Sequence, residues 1–261
     1  MLEIPMKKRM MDMLPKPLLD SLVLFKHRFK RLPAYTIYIS YVQGKRGIEI
    51  GGPSSQFRTI LPLYPSVSGL DGVNVFQHTI WEGKIVPGKT YNYYGNRKGT
   101  QFVSDTTDLS AIPSASYDFL LSCNCLEHIA NPLKALLEWK RVVRIGGAII
   151  LILPNPASNF DHRRPVTDFD NLLEDFQSAT TEDDLSHLDE ILALHDLSKD
   201  PQAGSFNNFR ARSLENDQNR ALHHHVFSLE LMVKMLTHVG LDVKQASQTD
   251  RDFYALAIRN A

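Results

Sequence analysis

The feature that most constrains the fold is a strand–helix–strand pattern in the middle of the chain. Residues 117–122 are predicted to be a strand with Asp118 near its start, and Asn131 and Pro132 then suit the cap and the first position of a helix. Gly146 and Gly147 suit its end. Residues 148–153 are continuously aliphatic, which is typical of a parallel strand buried on both faces. The pattern predicts one βαβ unit of an open sheet.

Other segments extend this unit into a larger sheet. Further strands are predicted at residues 47–51, 67–70 (ending at Asp71) and 101–103, and a helix with two strands after Ser228. Residues 82–100, rich in Gly, Lys, Tyr and Asn, are predicted to be an exposed loop. The predicted fold class is α/β: a Rossmann-like seven-stranded, mostly parallel sheet with an antiparallel last strand, helices on both faces and a helical insertion.

Composition limits the class of protein. The chain has 261 residues with 43% hydrophobic residues, which excludes global disorder, and its longest aliphatic run is too short to span a bilayer. Two cysteines exclude a disulfide framework and favour a reducing compartment, so a cytoplasmic location is expected.

The net charge is zero, but residues 1–46 carry ten basic and three acidic side chains. This segment can contact an anionic membrane surface, or it is a solvated helix beside the core.

Three strand ends carry groups suited to a nucleotide-like ligand. Residues 49–55 place an acid and small residues at a strand-to-turn junction, and Asp71 follows Glu49 by 22 positions, where a carboxylate can bridge two ribose hydroxyls. Asp105 could accept a hydrogen bond from an exocyclic amine. A nicotinamide enzyme remains an alternative, although the chain has no G-x-G-x-x-G sequence.

Residues 47–153 resemble a class I S-adenosylmethionine-dependent methyltransferase, of the methyltransferase type 11 group. The matching motif consists of residues 117–119, 126–132, Glu138, residues 141–143 and Gly146-Gly147. The predicted division is a cofactor-binding half at residues 47–154, an insertion or cap at 155–225, which the resemblance does not cover, and a C-terminal helix and strand pair at 226–261. Residues 1–46 form the basic N-terminal segment.

The resemblance also implies a set of cofactor contacts. S-adenosylmethionine would be the cofactor and S-adenosylhomocysteine the product. The implied residues are Glu49, Gly51 and Gly52 in the glycine-rich loop, Asp71 at the ribose, Asp105 and Thr106 at the adenine, and Asn124 with Cys123 at the methionine end. Pro53 and Ser55 replace two glycines of the family's loop, so this loop is expected to follow a different path.

Histidines are the candidate catalytic residues. His128 follows the fourth strand, and His223 and His225 alternate as they would in a strand, so these three are predicted as bases or acceptor-positioning groups. No metal site is predicted and Mg²⁺ is not favoured, because Asn124 stands where quinone-precursor methyltransferases have the first acid of their metal motif. Arg163 and Arg164 are predicted to clamp an anionic acceptor group or to form ion pairs.

The resulting prediction is O-methylation of a small-molecule or glycan-type acceptor by an S-adenosylmethionine-dependent enzyme. N- and C-methylation remain open, and the alternative is a non-catalytic binding or scaffold protein on the same fold. Nucleic acid is not favoured as a partner, because the chain is not basic overall. The sequence does not determine the oligomeric state.

Overall fold

The structure, a computed structural model, describes residues 31–79 and 83–261. The first helix, α1 (Tyr35–Val42), packs on one face of the sheet through Tyr38 and Val42. Most of the predicted basic segment at residues 1–46 lies outside the described residues. Its contact with a membrane therefore stays a prediction.

The central sheet has eight strands in the order β5-β6-β2-β1-β7-β8-β10-β9. Its strands are β1 (Arg46–Ile50), β2 (Gly69–Asn74), β5 (Gly88–Tyr94), β6 (Arg97–Val103), β7 (Tyr117–Cys123), β8 (Val143–Pro154), β9 (Leu241–Gln248) and β10 (Asp252–Arg259). A separate short ribbon is formed by β3 (His78–Thr79) and β4 (Gly83–Lys84).

The pairing of these strands confirms the predicted fold class. The five adjacent strands β6, β2, β1, β7 and β8 are parallel to one another, as predicted. Strand β10 is antiparallel to both β8 and β9. The sheet differs from the prediction at its other edge, where β5 pairs antiparallel with β6 and adds an eighth strand.

The prediction of an exposed loop at residues 82–100 is wrong, because this segment contains β5 and most of β6. Tyr91 and Tyr93 alternate inward from β5 and are 1% and 2% exposed. The ring of Tyr91 lies over Gly72, where a Cβ atom would come within 2.2 Å of it. The absent side chain at Gly72 thus makes room for the edge strand.

Two longer helices pack on the sheet. Helix α2 (Pro132–Val142) begins at Asn131, whose side chain accepts a hydrogen bond from the Lys134 amide as the sequence predicted. The Trp139 indole of α2 donates to the Thr106 carbonyl at 3.0 Å, which fixes the loop after β6. The second of these helices, Leu229–His238, directly precedes β9.

Residues between β8 and this last helix form short helices over one end of the sheet. They are α3 (Phe169–Gln177), α4 (Leu188–Leu194), α5 (Phe206–Leu214) and α6 (Asn216–Asn219), so the last helix is α7. A small core of Ile191, Ala203, Phe209 and Leu222 lies under them. The division of the chain at residues 155 and 225 stays a prediction.

In the described part of the chain, no helix has both the length and the apolar character needed to cross a bilayer.

Candidate active site

A cavity of about 610 Å³ lies at the carboxyl ends of β1, β2 and β7. Gly51, Asn74 and Asn124 stand at these three strand ends and line it. Phe160 and His223, from the segment between β8 and α7, line it from the opposite side. The cavity therefore has a floor made by the sheet and a wall made by the helical segment, at the edge where open α/β sheets bind ligands.

The loop after β1 is held from beneath by a buried carboxylate. Glu49 is fully buried and accepts hydrogen bonds from the Tyr64 hydroxyl, the Tyr91 hydroxyl at 2.6 Å and the Ser54 amide at 3.0 Å. Burial raises the pKa of Glu49 to about 7, against the effect of the two tyrosine hydroxyls. Glu49 thus positions the loop and does not itself line the cavity.

Polar side chains follow β2 and β6 at the cavity floor. Asn74 ends β2 and donates from Nδ2 to the Gly52 carbonyl at 3.1 Å. Asp105 follows β6 and accepts from the Thr107 amide at 2.8 Å and from Arg220 at 2.9 Å. The same Arg220 contacts Glu182 at 2.8 Å, so it connects this corner of the floor to the helical segment.

Glu127, His128 and His223 form a cluster where the floor meets the wall. One carboxylate or ring atom of each residue lies within 4.8 Å of the others. The two imidazole rings meet edge to face with centroids 4.4 Å apart. Glu127 is 1% exposed, and its Oε2 atom has no hydrogen-bond partner. These groups can accept a hydrogen bond or bind a cation.

Each histidine of the cluster is oriented by a second group. The Nδ1 atom of His128 lies 3.1 Å from the Leu222 carbonyl, and the Nδ1 atom of His223 lies 2.5 Å from Asp161 Oδ2. Carbonyl and carboxylate oxygens only accept hydrogen bonds, so both Nδ1 atoms carry the proton. Burial lowers the pKa of His128 well below its usual range. Burial opposes the charge on His223, but Asp161 outweighs it and raises the pKa of His223.

The wall of the cavity combines aromatic rings with polar groups. Phe160 contacts the His223 ring at a centroid distance of 4.7 Å and stacks on His195 at 4.4 Å. Asp200 and Arg212 also line the cavity and pair with each other at 3.3 Å. This wall can hold a small polar ligand against the cluster.

Comparisons with known proteins agree with this arrangement. Residues 84–151 match the family model described as a methyltransferase domain. A solved S-adenosylmethionine-dependent methyltransferase from Methanosarcina mazei shares the fold, with 16% identity, a TM-score of 0.50, and coverage of 88% of this chain and 99% of that one. The chain therefore has the fold of this solved methyltransferase, and its residues 84–151 are similar to the methyltransferase domain family.

Two further solved methyltransferases are similar to the chain at lower scores. A methyltransferase from Aquifex aeolicus is 13% identical, with a TM-score of 0.47 and coverage of 92% of this chain and 97% of that one. One from Mesorhizobium loti is 12% identical, with a TM-score of 0.46 and coverage of 87% and 96%. No curated protein matches the chain.

The cavity brings together most of the residues selected from the sequence. The predicted residues that line it are Gly51, Cys123, Asn124, Asp105, Thr106, His128 and His223. Gly52 lines a neighbouring cavity of about 490 Å³ on the other side of the loop. Asn124 adopts a φ of +47°, and Gly51 a φ of +74°, so the backbone turns sharply at both strand ends.

Asp71 does not line the cavity, so the structure does not bring it together with the other predicted cofactor contacts. Strand β2 continues past Asp71 to Asn74, so the carboxylate lies inside the sheet. It pairs with Arg46 at 2.6 Å and accepts from the Tyr117 hydroxyl at 2.9 Å and the Thr100 amide at 2.7 Å. These partners make a buried carboxylate compatible with a strand interior.

His225 is likewise outside the cavity. Residues 220–228 are not a strand, so His223 and His225 do not face one side together. His225 is 2% exposed and contacts the Ala130 carbonyl at 3.1 Å, and burial lowers its pKa to about 3. It holds the segment before α7 against the core, and the structure does not bring it to the cavity where a catalytic role was predicted.

The two predicted arginines have ion-pair partners within the helical segment. Arg164 is buried and contacts Asp161 and Glu190, while Arg163 contacts Asp196 at 3.3 Å. Arg164 also donates to the carbonyls of His223 and His224. It therefore fixes the backbone that presents His223, and the predicted clamp on an acceptor is not formed.

Sequence reasoning missed Asn74 and Phe160 as cavity residues. Asn74 is the last residue of β2, which is the position expected for a ligand-binding side chain. It was missed because the strand was predicted to end at Asp71. Phe160 follows the strand end at Pro154 by six positions, but nothing in its local sequence distinguishes it. Its role depends on the distant His223 and His195.

Proposed function

We propose that this protein methylates a hydroxyl oxygen of a small or sugar-type acceptor. The observation that carries the proposal is the cluster of Glu127, His128 and His223 at the junction of the floor and the wall. A hydroxyl loses its proton during transfer, and polar groups at the transfer point assist that loss. The cluster supplies such groups between the two halves of the cavity.

The floor is suited to the cofactor. Asn74 at the end of β2 would bind the ribose hydroxyls, and Asp105 after β6 would accept from the adenine amine, because both line the cavity. Gly51 and Asn124 then flank the methionine end. Gly51 has a positive φ, and a Cβ atom there would lie 3.1 Å from Cys125 Sγ, so glycine suits this turn at the cavity floor.

The transfer requires close alignment of acceptor and cofactor. The cofactor supplies a methyl group on a sulfonium, which becomes a neutral thioether when the carbon–sulfur bond breaks. The acceptor oxygen forms its bond to the methyl carbon at the same time, and the hydroxyl proton is released to water. His128 and Glu127 would orient the hydroxyl by accepting its hydrogen bond, and His223 would hold the acceptor side of the cavity.

The wall supports a polar acceptor of limited size. Phe160 offers a ring face, and Asp200 and Arg212 offer hydrogen-bonding groups at the same end. The cavity volume of about 610 Å³ falls in the range of small-ligand sites and is shared with the cofactor. A monosaccharide, a small alcohol or the end unit of a glycan fits this description.

The free thiols of Cys123 and Cys125 support a reducing, cytoplasmic setting.

The test supplies purified protein with methyl-labelled S-adenosylmethionine and matched acceptor pairs that differ only in a hydroxyl or an amine. We expect label in the hydroxyl member as a base-stable methyl ether, together with S-adenosylhomocysteine. Asp105→Asn is expected to weaken S-adenosylhomocysteine binding, and it also removes the charge that pairs with Arg220.

Label found on nitrogen or carbon would contradict the choice of oxygen. Cofactor binding without transfer to any acceptor, or no cofactor binding by calorimetry, would instead support the scaffold alternative.

A further inference from the structure

We propose that Glu127, His128 and His223 bind one divalent transition-metal ion, of the class that imidazole prefers, such as Zn²⁺ or Fe²⁺. The sequence alone gave no such site, because only Glu127 and His128 are adjacent in the chain. The fold adds His223 from the segment before α7. What the ion does rests on the proposed function, but its binding can be measured separately.

The spacing of the cluster suits a single ion. One ligand atom of each residue lies within 4.8 Å of the other two. Nitrogen and oxygen ligands sit about 2.0–2.2 Å from Zn²⁺, so neighbouring ligand atoms in a tetrahedral site are about 3.5 Å apart. Small side-chain rotations bring these atoms to that separation. Two imidazoles and one carboxylate also disfavour Mg²⁺, which prefers oxygen ligands.

Both histidines have the outer partner that metal-binding histidines require. His223 donates from Nδ1 to Asp161 at 2.5 Å, and His128 donates from Nδ1 to the Leu222 carbonyl at 3.1 Å. Ligating histidines almost always donate their second ring nitrogen to a carboxylate or a backbone carbonyl, which fixes the ring orientation. In the neutral ring this arrangement places the lone pair on Nε2 of each histidine.

Glu127 provides an independent indication of a cation. Its carboxylate lines the cavity and is 1% exposed, yet Oε2 has no hydrogen-bond partner. A buried carboxylate oxygen without a partner is unfavourable, and a bound cation removes that cost. The buried Arg164 of the helical segment does not serve this purpose, because it pairs with Asp161 and Glu190.

An ion held by three side chains keeps coordination positions open toward the cavity. Catalytic Zn²⁺ sites have this composition, with three protein ligands and an exchangeable fourth position. An acceptor hydroxyl bound there would lose its proton more readily because the ion stabilises the alkoxide. This would deepen the proposed function by assigning the activation of oxygen to the ion.

The test uses full-length protein without a histidine tag, dialysed first against a chelator and then against metal-free buffer. Titration with Co²⁺ is followed by its visible absorption bands, and calorimetry with Zn²⁺ gives stoichiometry and Kd. We expect one ion per chain, with Glu127→Gln and His223→Gln each weakening binding about 100-fold. Glu127→Gln is isosteric, and thermal unfolding of each variant verifies that it folds.

His238→Gln is the matched control, because His238 is exposed on α7 away from the cluster, and its affinity should not change. No saturable binding of Co²⁺ or Zn²⁺, or equal affinity of Glu127→Gln and the parent protein, overturns the site. Mg²⁺ bound as tightly as Zn²⁺ overturns the assigned class of ion.

Methyl transfer measured in parallel separates this inference from the proposed function. Full transfer to a hydroxyl by the metal-free protein overturns the role of the ion in catalysis. Tight Zn²⁺ binding that Glu127→Gln abolishes supports the metal site even if no hydroxyl is methylated, and the proposed function alone then fails.

Discussion

Substituting Asp71 and Asn74 separately distinguishes the carboxylate inside the sheet from the side chain at its edge. Asp71→Ala leaves the buried Tyr117 hydroxyl and the Thr100 amide without their acceptor. Each buried polar group without a partner costs about 1–3 kcal/mol, which gives about 2–6 kcal/mol for the two. The ion pair with Arg46 adds little, because that side chain is 57% exposed.

That loss is large against the total of about 5–15 kcal/mol that stabilises a typical domain. We therefore expect Asp71→Ala to lower the urea midpoint strongly while the protein that remains folded binds S-adenosylhomocysteine with little change. Asn74→Ala should have the opposite profile. It loses the bond to the Gly52 carbonyl, and cofactor affinity falls about tenfold, which corresponds to about 1.4 kcal/mol.

The assay combines urea unfolding with calorimetric titration of S-adenosylhomocysteine at low temperature, where both variants are folded. If Asp71→Ala lost cofactor affinity at unchanged stability while Asn74→Ala bound normally, the placement of Asp71 in the strand interior would be refuted. Asp71→Asn is a milder control, because its amide keeps one acceptor for the Thr100 amide.

Two further predictions concern the support of the loop and the edge of the sheet. Because burial raises the pKa of Glu49 from 4.5 to about 7, the folded state binds more protons in this range, and stability should fall by up to about 3 kcal/mol as pH rises through it. Glu49→Gln should remove that component in urea unfolding at pH 5 and pH 8, and parallel pH dependences would contradict it. Gly99→Ala should destabilise by about 3 kcal/mol, because its Cβ would lie 1.7 Å from the Leu70 carbonyl oxygen. Gly69→Ala, with its nearest contact at 3.6 Å, is the control, and equal melting temperatures of the two variants would refute the argument.

The sequence predicted those parts of the fold that local signals determine. Asn131, Pro132 and the aliphatic run at residues 148–153 act on their own neighbourhood, so the central βαβ unit followed from them. Strand β5 was missed because its Gly, Lys and Asn residues hide the alternation of Tyr91 and Tyr93. Its burial depends on Gly72, a residue of another strand.

The site was harder to predict because its side chains are paired across long stretches of chain. Asp161 and His223 are 62 positions apart, and Asp71 and Tyr117 are 46 apart. Sequence spacing gives no indication of such contacts. His223 and His225 looked equivalent in the sequence, and only the irregular backbone of this segment separates their roles.

The contacts of Arg164 affect how the length and sequence of the helical segment can change in evolution. Its guanidinium joins Asp161 to the carbonyls of His223 and His224, so the two ends of about sixty residues are held together at the core. The entropy of closing a loop grows only slowly with length, by about 0.6 kcal/mol for each doubling. The helices between these ends can therefore lengthen, shorten or be replaced at small cost while Asp161 and His223 keep their places. Acceptor preference and methyl-transfer chemistry can then change independently of each other.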